Sequence, residues 1–97
     1  MDNIKGISKL EANILLVVWD KGNVTTRGVH EVFLLKELKE KNKDFTPYTT
    51  IMSTLNSLAR KKILKVNQSQ KTYYYSALLN RKELTKSIIQ SVTDKLL

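Results

Sequence analysis

Thr46-Pro47-Tyr48-Thr49-Thr50-Ile51-Met52-Ser53-Thr54-Leu55-Asn56-Ser57-Leu58-Ala59-Arg60-Lys61 is the stretch that decides how this chain folds. Thr46 is of the type that caps a helix, and Pro47 suits the first helical position, where a missing N–H costs nothing. On a helical wheel Tyr48, Ile51, Met52, Leu55, Leu58 and Ala59 share one side, while Thr49, Thr50, Ser53, Asn56, Ser57 and Arg60 share the other. Ser and Thr are mediocre helix formers, and an exposed face selected for stability alone would carry Glu, Lys or Ala instead. A face of short hydroxyl and amide side chains, free of acid, is what a helix needs to approach base edges in a DNA groove.

Charge points the same way. The 97 residues carry a formal net charge of +8. Between Phe45 and Lys82 stand seven Lys or Arg and no Asp or Glu, whereas the segments on either side are close to neutral. Each cation set on a phosphate releases a condensed counterion, so an asymmetry of this kind suits a polyanion partner. A solvated basic face that merely aids solubility is the bland alternative, and charge alone does not choose between them.

The elements flanking the central helix supply the topology. Upstream, Ser8 with Glu11 three residues later forms a capping-box pattern ahead of Ile14, Val17 and Val18, and Lys21-Gly22-Asn23 stops that helix. Val24-Thr25 is a short β-prone step, and Thr25 or Thr26 caps a second helix with Val29, Val32 and Phe33 on its apolar face, running into the charged stretch Lys36 to Lys43. Downstream, Ile63 to Asn67 and Thr72 to Ser76 are two β-prone runs around a polar tip, Gln68-Ser69-Gln70-Lys71. Tyr73, Tyr74 and Tyr75 alternate between its faces, which puts Tyr74 outward and the other two over the core. Asn80 with Glu83 opens a last helix bearing Leu84, Ile88, Val92 and Leu96 in an i, i+4 ladder. The sequence therefore predicts a mainly α fold with a small β-hairpin wing: a winged helix-turn-helix DNA-binding domain over residues 1–78 and a C-terminal helix over 79–97 whose apolar ladder needs a partner.

In such a fold the third helix enters the major groove. Thr46, Tyr48, Thr49, Thr50, Ser53, Asn56, Ser57 and Arg60 become the candidate contacts of the recognition helix, with Thr49, Thr50, Ser53 and Asn56 reading base edges. Arg27 at the start of the second helix, Arg60, Lys61 beyond the third and Lys71 at the wing tip are candidates for the phosphate backbone. His30, the lone histidine, has no partners at metal-binding spacing and reads as a surface residue. The chain has no cysteine, no glycine-rich phosphate loop and no nucleophile with a histidine–carboxylate escort, so neither an enzyme, a metal site nor a cofactor is expected. Its longest apolar run, Ile14 to Trp19, is far too short to cross a bilayer, and a cytoplasmic location is expected.

Several of these segments, taken together, resemble the penicillinase repressor family of winged-helix regulators, which includes the BlaI, MecI and CopY repressors. The resemblance rests on Ile7-Ser8 with Glu11, on Ile14 to Trp19 followed by Asp20-Lys21-Gly22, on Thr25-Thr26-Arg27 with Val29, on Tyr48-Thr49-Thr50-Ile51 with Leu55-Asn56, Leu58 and Lys61, and on Thr72 to Ser76. It implies a transcriptional repressor that binds a palindromic double-stranded DNA operator as a homodimer, with Leu84, Ile88, Val92 and Leu96 in the dimer interface. Three positions depart from the family pattern. Ser57 stands where Arg is usual, Lys62 where Gly is usual, and the stretch from Phe33 to Phe45 is about two helical turns longer than in typical members. Members usually continue past the position of Leu97 with another helix, so a reduced dimer interface or a longer natural chain is an expectation here. Neither the Asn-Phe bond cut in the antibiotic-responsive branch nor the cysteine-rich tail of the copper-responsive branch occurs, which leaves the inducing signal, and any upstream sensor or protease, open. The rival reading is a winged-helix interaction module that binds a protein or lipid surface without sequence-specific DNA binding.

Overall fold

The computed structural model describes residues 6–41 and 44–96, without the side chains of Ser91, Lys95 and Leu96. Its elements run α1 (Lys9–Lys21), β1 (Asn23–Val24), α2 (Thr26–Lys39), α3 (Tyr48–Arg60), β2 (Leu64–Ser69), β3 (Thr72–Ala77) and α4 (Arg81–Leu96). The strands form one antiparallel sheet in the order β1-β3-β2, with Val24 opposite Tyr75 and Val66 opposite Tyr75 on the other edge. This is a winged helix-turn-helix, as the sequence predicts.

Local chemistry accounts for most boundaries. Ser8 accepts from the Glu11 N–H at 3.1 Å while Glu11 accepts from the Ser8 N–H at 2.9 Å, a reciprocal cap that opens α1. Gly22, at φ 87°, closes it in a conformation that side chains avoid. Thr25 caps α2 by accepting from the Gly28 N–H, which ends β1 one residue earlier than the β-prone Val24-Thr25 step suggests. Asn80 and Glu83 exchange the same pair of cap bonds at the start of α4, at 2.8 and 2.9 Å.

The core lies where α1, α2 and α3 meet the sheet. Ile14, Leu15 and Val18 from α1 meet Val29 and Phe33 from α2, and Ile51, Leu55 and Leu58 from α3 close over them. Leu64, Val24 and Tyr75 form the sheet side. Trp19, half-buried, donates its indole N–H to the Leu79 carbonyl at 3.0 Å, tying α1 to the chain that leads into α4. Leu84 is also part of this core, at 5% exposure, so the first residue of the expected dimer ladder is used within the protomer. Along α4 exposure then rises: Ile88 is half-buried against the core, Val92 is 49% exposed, and the Leu96 side chain lies outside the described residues.

The wing differs from its sequence expectation at both ends. The Schellman closure of α3 takes up Ile63, whose N–H bonds the Leu58 carbonyl, while the Lys62 N–H bonds that of Ala59. The first wing strand therefore begins at Leu64. At the tip, Ser69 pairs with Thr72, so only Gln70 and Lys71 form the loop, both at positive φ (50° and 69°). Such a two-residue turn is normally built from Asn-Gly, which is why the sequence suggested a longer tip. Tyr73 is 55% exposed and Tyr74 half-buried, against the expected pattern: this far along the wing no core remains for Tyr73 to cover, and Tyr75 alone is buried.

Candidate nucleic-acid interface

Helix α3 begins one residue later than its sequence suggests. Pro47 is the N-cap residue, without a side-chain cap bond, and its carbonyl accepts from the Thr50 and Ile51 N–H groups. Thr46, the expected cap, instead gives both its N–H (3.0 Å) and its hydroxyl to the Glu37 carboxylate. Glu37 lies in the last turn of α2, within the long Phe33 to Phe45 stretch, so that extension fixes the residue from which the recognition helix departs.

Three strips run along α3. Ile51, Leu55 and Leu58 are fully buried. Opposite them, Thr49, Ser53 and Arg60 are exposed, with Thr50 and Ser57 half-buried on one shoulder. Tyr48 and Met52, expected to pack inward, are 45% and 39% exposed and lie on the other shoulder. Their positions on the wheel adjoin the core strip, but the wing stands away from the helix there and leaves them facing a cleft. The Ser53 and Thr54 hydroxyls both donate to the Thr50 carbonyl, at 3.2 and 2.7 Å, so their protons are engaged within the helix while their oxygens remain able to accept.

The cleft, about 630 Å³, separates α3 from the wing and is closed at one end by the start of α2. Arg27 and Lys71 stand on its walls, with Tyr48, Met52, Asn56 and Tyr73 between them. Arg27 pairs only loosely with Glu31, at 3.7 Å and with both side chains largely in solvent, an arrangement weak enough to exchange for another anion. At the base, the Tyr75 hydroxyl donates to Asn56 Oδ1 at 2.7 Å. Burial pushes the Tyr75 phenol above its usual range, a hydrogen bond with Thr26 pulls the other way, and the neighbouring Tyr48 and Tyr73 add to the rise. His30 is not a free surface residue: its ring meets Tyr48 edge-on, 5.6 Å between centroids.

Lys61 makes a contact that its sequence position does not suggest. Its ammonium lies 2.7 Å from Glu11 Oε2, with the carboxylate only 10% exposed, so it joins α3 to α1 and not to the cleft. No feature of the sequence pairs residues so far apart. The Glu11 carboxyl is pushed up by burial but pulled further down by Lys61 and by its bonds with Ser8, and ends below the usual carboxylate range. Among the described residues no group of His, Cys, Asp or Glu could hold a metal ion, and no helix is long and apolar enough to cross a membrane.

A three-helix core with a two-stranded wing and a polar third helix defines a DNA-binding winged-helix protein. The penicillinase repressor profile matches residues 7–97, and the chain belongs to that family of transcriptional repressors. Solved structures that share the fold include two that illustrate it. One is the solution structure of the DNA-binding domain of the repressor BlaI, with TM-score 0.62, 23% identity and coverage of 86% of this chain and 93% of that one. The other is a complex structure of hsRosR-S1, with TM-score 0.60, 15% identity and coverage of 97% and 77%. At these identities the likeness is one of fold. No curated protein shows significant similarity to the chain.

Proposed function

We propose that this repressor binds a palindromic operator as a homodimer, with α3 in the major groove and the wing beside the flanking backbone. The observation that carries this reading is the exposed strip Thr49, Ser53 and Arg60, short and free of acid, beside a cleft whose walls hold Arg27 and Lys71. Thr49, Thr50 and Ser53 offer hydroxyls and methyls to base edges; Arg27, Arg60 and Lys71 neutralise phosphates and set the register. Thr46, Tyr48 and Ser57 line the approach. Residues 1–78 serve as the DNA-binding unit and 79–97 as the dimerisation element, acting in the cytoplasm where the operator is.

Selection of bound sites from a random duplex library tests the reading. The expected product is an inverted repeat whose half-sites lie about 10 base pairs, or a multiple of that, apart. Recovery of sequences without symmetry would remove the homodimeric part, and equal binding to all duplexes would remove the sequence-specific part. Thr50→Ala with Ser53→Ala should weaken operator binding by about 1–3 kcal/mol per lost base contact and leave non-specific binding nearly unchanged.

A further inference from the structure

We infer that Tyr75 orients the Asn56 amide so that Asn56 meets DNA as a hydrogen-bond donor to a phosphate oxygen in the cleft between α3 and the wing, not as a reader of bases. The inference rests on the DNA-binding reading above and assigns Asn56 differently from the sequence. An asparagine that reads adenine uses its carbonyl and its amino group together, accepting from N6 and donating to N7. Here Oδ1 accepts from the Tyr75 hydroxyl at 2.7 Å, which holds the carbonyl end of the amide toward the sheet and leaves the Nδ2 amino group, which can only donate, as the end offered to DNA.

The phenol is itself held. Tyr75 is 3% exposed, and its backbone is paired on both sides within the sheet. Asn56 is thus tied to the sheet through Tyr75, and its orientation is set by the fold before DNA arrives. Position gives the acceptor. Asn56 is half-buried on the wing side of α3, in the same cleft as Arg27 and Lys71, whereas Thr49 and Ser53 stand on the exposed strip. Two cations flanking a cleft mark the course of a phosphate strand, and an amino group between them adds a neutral donor to the same strand.

Two substitutions at one position separate this role from a structural one. Asn56→Asp keeps an oxygen for Tyr75 but turns the free end into a negatively charged acceptor; Asn56→Ala loses both. If Asn56 serves only to satisfy Tyr75, the aspartate variant binds the selected operator at least as well as the alanine variant. The phosphate role requires the reverse: Asn56→Ala binds roughly threefold to tenfold more weakly than the parent, and Asn56→Asp more weakly still. Equal or tighter binding by Asn56→Asp overturns the inference.

Repeating site selection with Asn56→Ala should return the parental sequence, and relaxed preference at one base pair would overturn the phosphate assignment in favour of a base. In a scan of single methylphosphonates, one phosphate per half-site should matter to the parent and no longer to Asn56→Ala; absence of such a phosphate would also overturn it. Tyr75→Phe, which removes the hydroxyl alone, should lose the same methylphosphonate response, and retention of that response would remove Tyr75 from the positioning role. A parent chain that binds no duplex fails the DNA reading itself, whereas binding without the expected order of the two Asn56 variants fails only this inference.

Discussion

The Lys61 ammonium and the Glu11 carboxylate meet at 2.7 Å, and through its other oxygen the same carboxylate accepts from the Ser8 N–H at 2.9 Å. One side chain therefore closes the N-terminus of α1 and holds the C-terminal end of α3. The recognition helix is fixed at its other end by Glu37 through Thr46, so two carboxylates determine how α3 is presented.

Removing the Glu11 charge should loosen this arrangement. Glu11→Gln and Lys61→Met should each lower unfolding free energy by about 1–3 kcal/mol, the range for a hydrogen bond to a charged, largely buried group. Urea denaturation at neutral pH measures it. A loss below a few tenths of a kcal/mol would class the pair with ordinary surface ion pairs.

The same pair separates Lys61 from the phosphate contacts. Lys71→Ala and Arg27→Ala should each reduce the slope of log affinity against log salt by about 0.9, the contribution of one neutralised phosphate. Lys61→Met should leave that slope unchanged, because its ammonium is held by Glu11. A reduced slope for Lys61→Met would mean that the lysine leaves Glu11 when DNA binds.

Acid should weaken the fold through Glu11. Its carboxyl lies below the usual carboxylate range in the folded chain, so the folded state favours the charged form. That contribution is complete above the unfolded-state value, about 4.3, and is lost as pH falls through the lower folded value. Denaturation midpoints should drop as pH falls below about 4.3, and the drop should be smaller in Glu11→Gln. Identical pH dependence in both chains would assign the acid sensitivity to other carboxylates.

The parts of the fold legible in the sequence are those written in neighbouring residues. Ser8 with Glu11 and Asn80 with Glu83 are reciprocal caps three residues apart, and both form. The fully buried strip Ile51, Leu55, Leu58 follows directly from helical periodicity. What the sequence does not carry is decided by distant partners. Tyr48 and Met52 look inward on a wheel, but their exposure depends on how far the wing stands from α3. Lys61 looks like one more cation in a basic run until Glu11 is brought to it, and Leu84 looks like a dimer contact until the core closes over it. Asn56 belongs to the polar face by periodicity, while the engagement of its carbonyl by Tyr75 comes from strand pairing.

Lys62 offers a test of backbone strain. At φ 66° it occupies the left-handed position of the Schellman closure, where glycine is at home and a β-carbon is not. Lys62→Gly should raise stability by about 1 kcal/mol and Lys62→Val should lower it, both read from thermal or urea unfolding. The sequence resemblance singles out this position as one where glycine is usual, and the backbone explains the preference. An unchanged or lower stability in Lys62→Gly would mean that the greater freedom of glycine in the unfolded chain outweighs the strain it relieves.

The proposed dimer should depend on the outer surface of α4 and not on its first apolar residue. Leu84 is 5% exposed within the protomer core, so Leu84→Asp would bury an unpaired charge and unfold the chain, whatever its oligomeric state. Ile89 and Val92, at 59% and 49% exposure, are large apolar groups left uncovered on the same helix, with Ile88 half-buried beneath them. Ile89→Asp with Val92→Asp should leave the unfolding midpoint of the isolated domain nearly unchanged while sedimentation shifts from dimer to monomer. Operator affinity should fall with it, because two half-sites no longer bind as one, whereas affinity for a single half-site should hold. A double variant that still sediments as a dimer would move the interface elsewhere; Leu35 and Leu38 on the extension of α2, at 69% and 55% exposure, would be the next surface to alter.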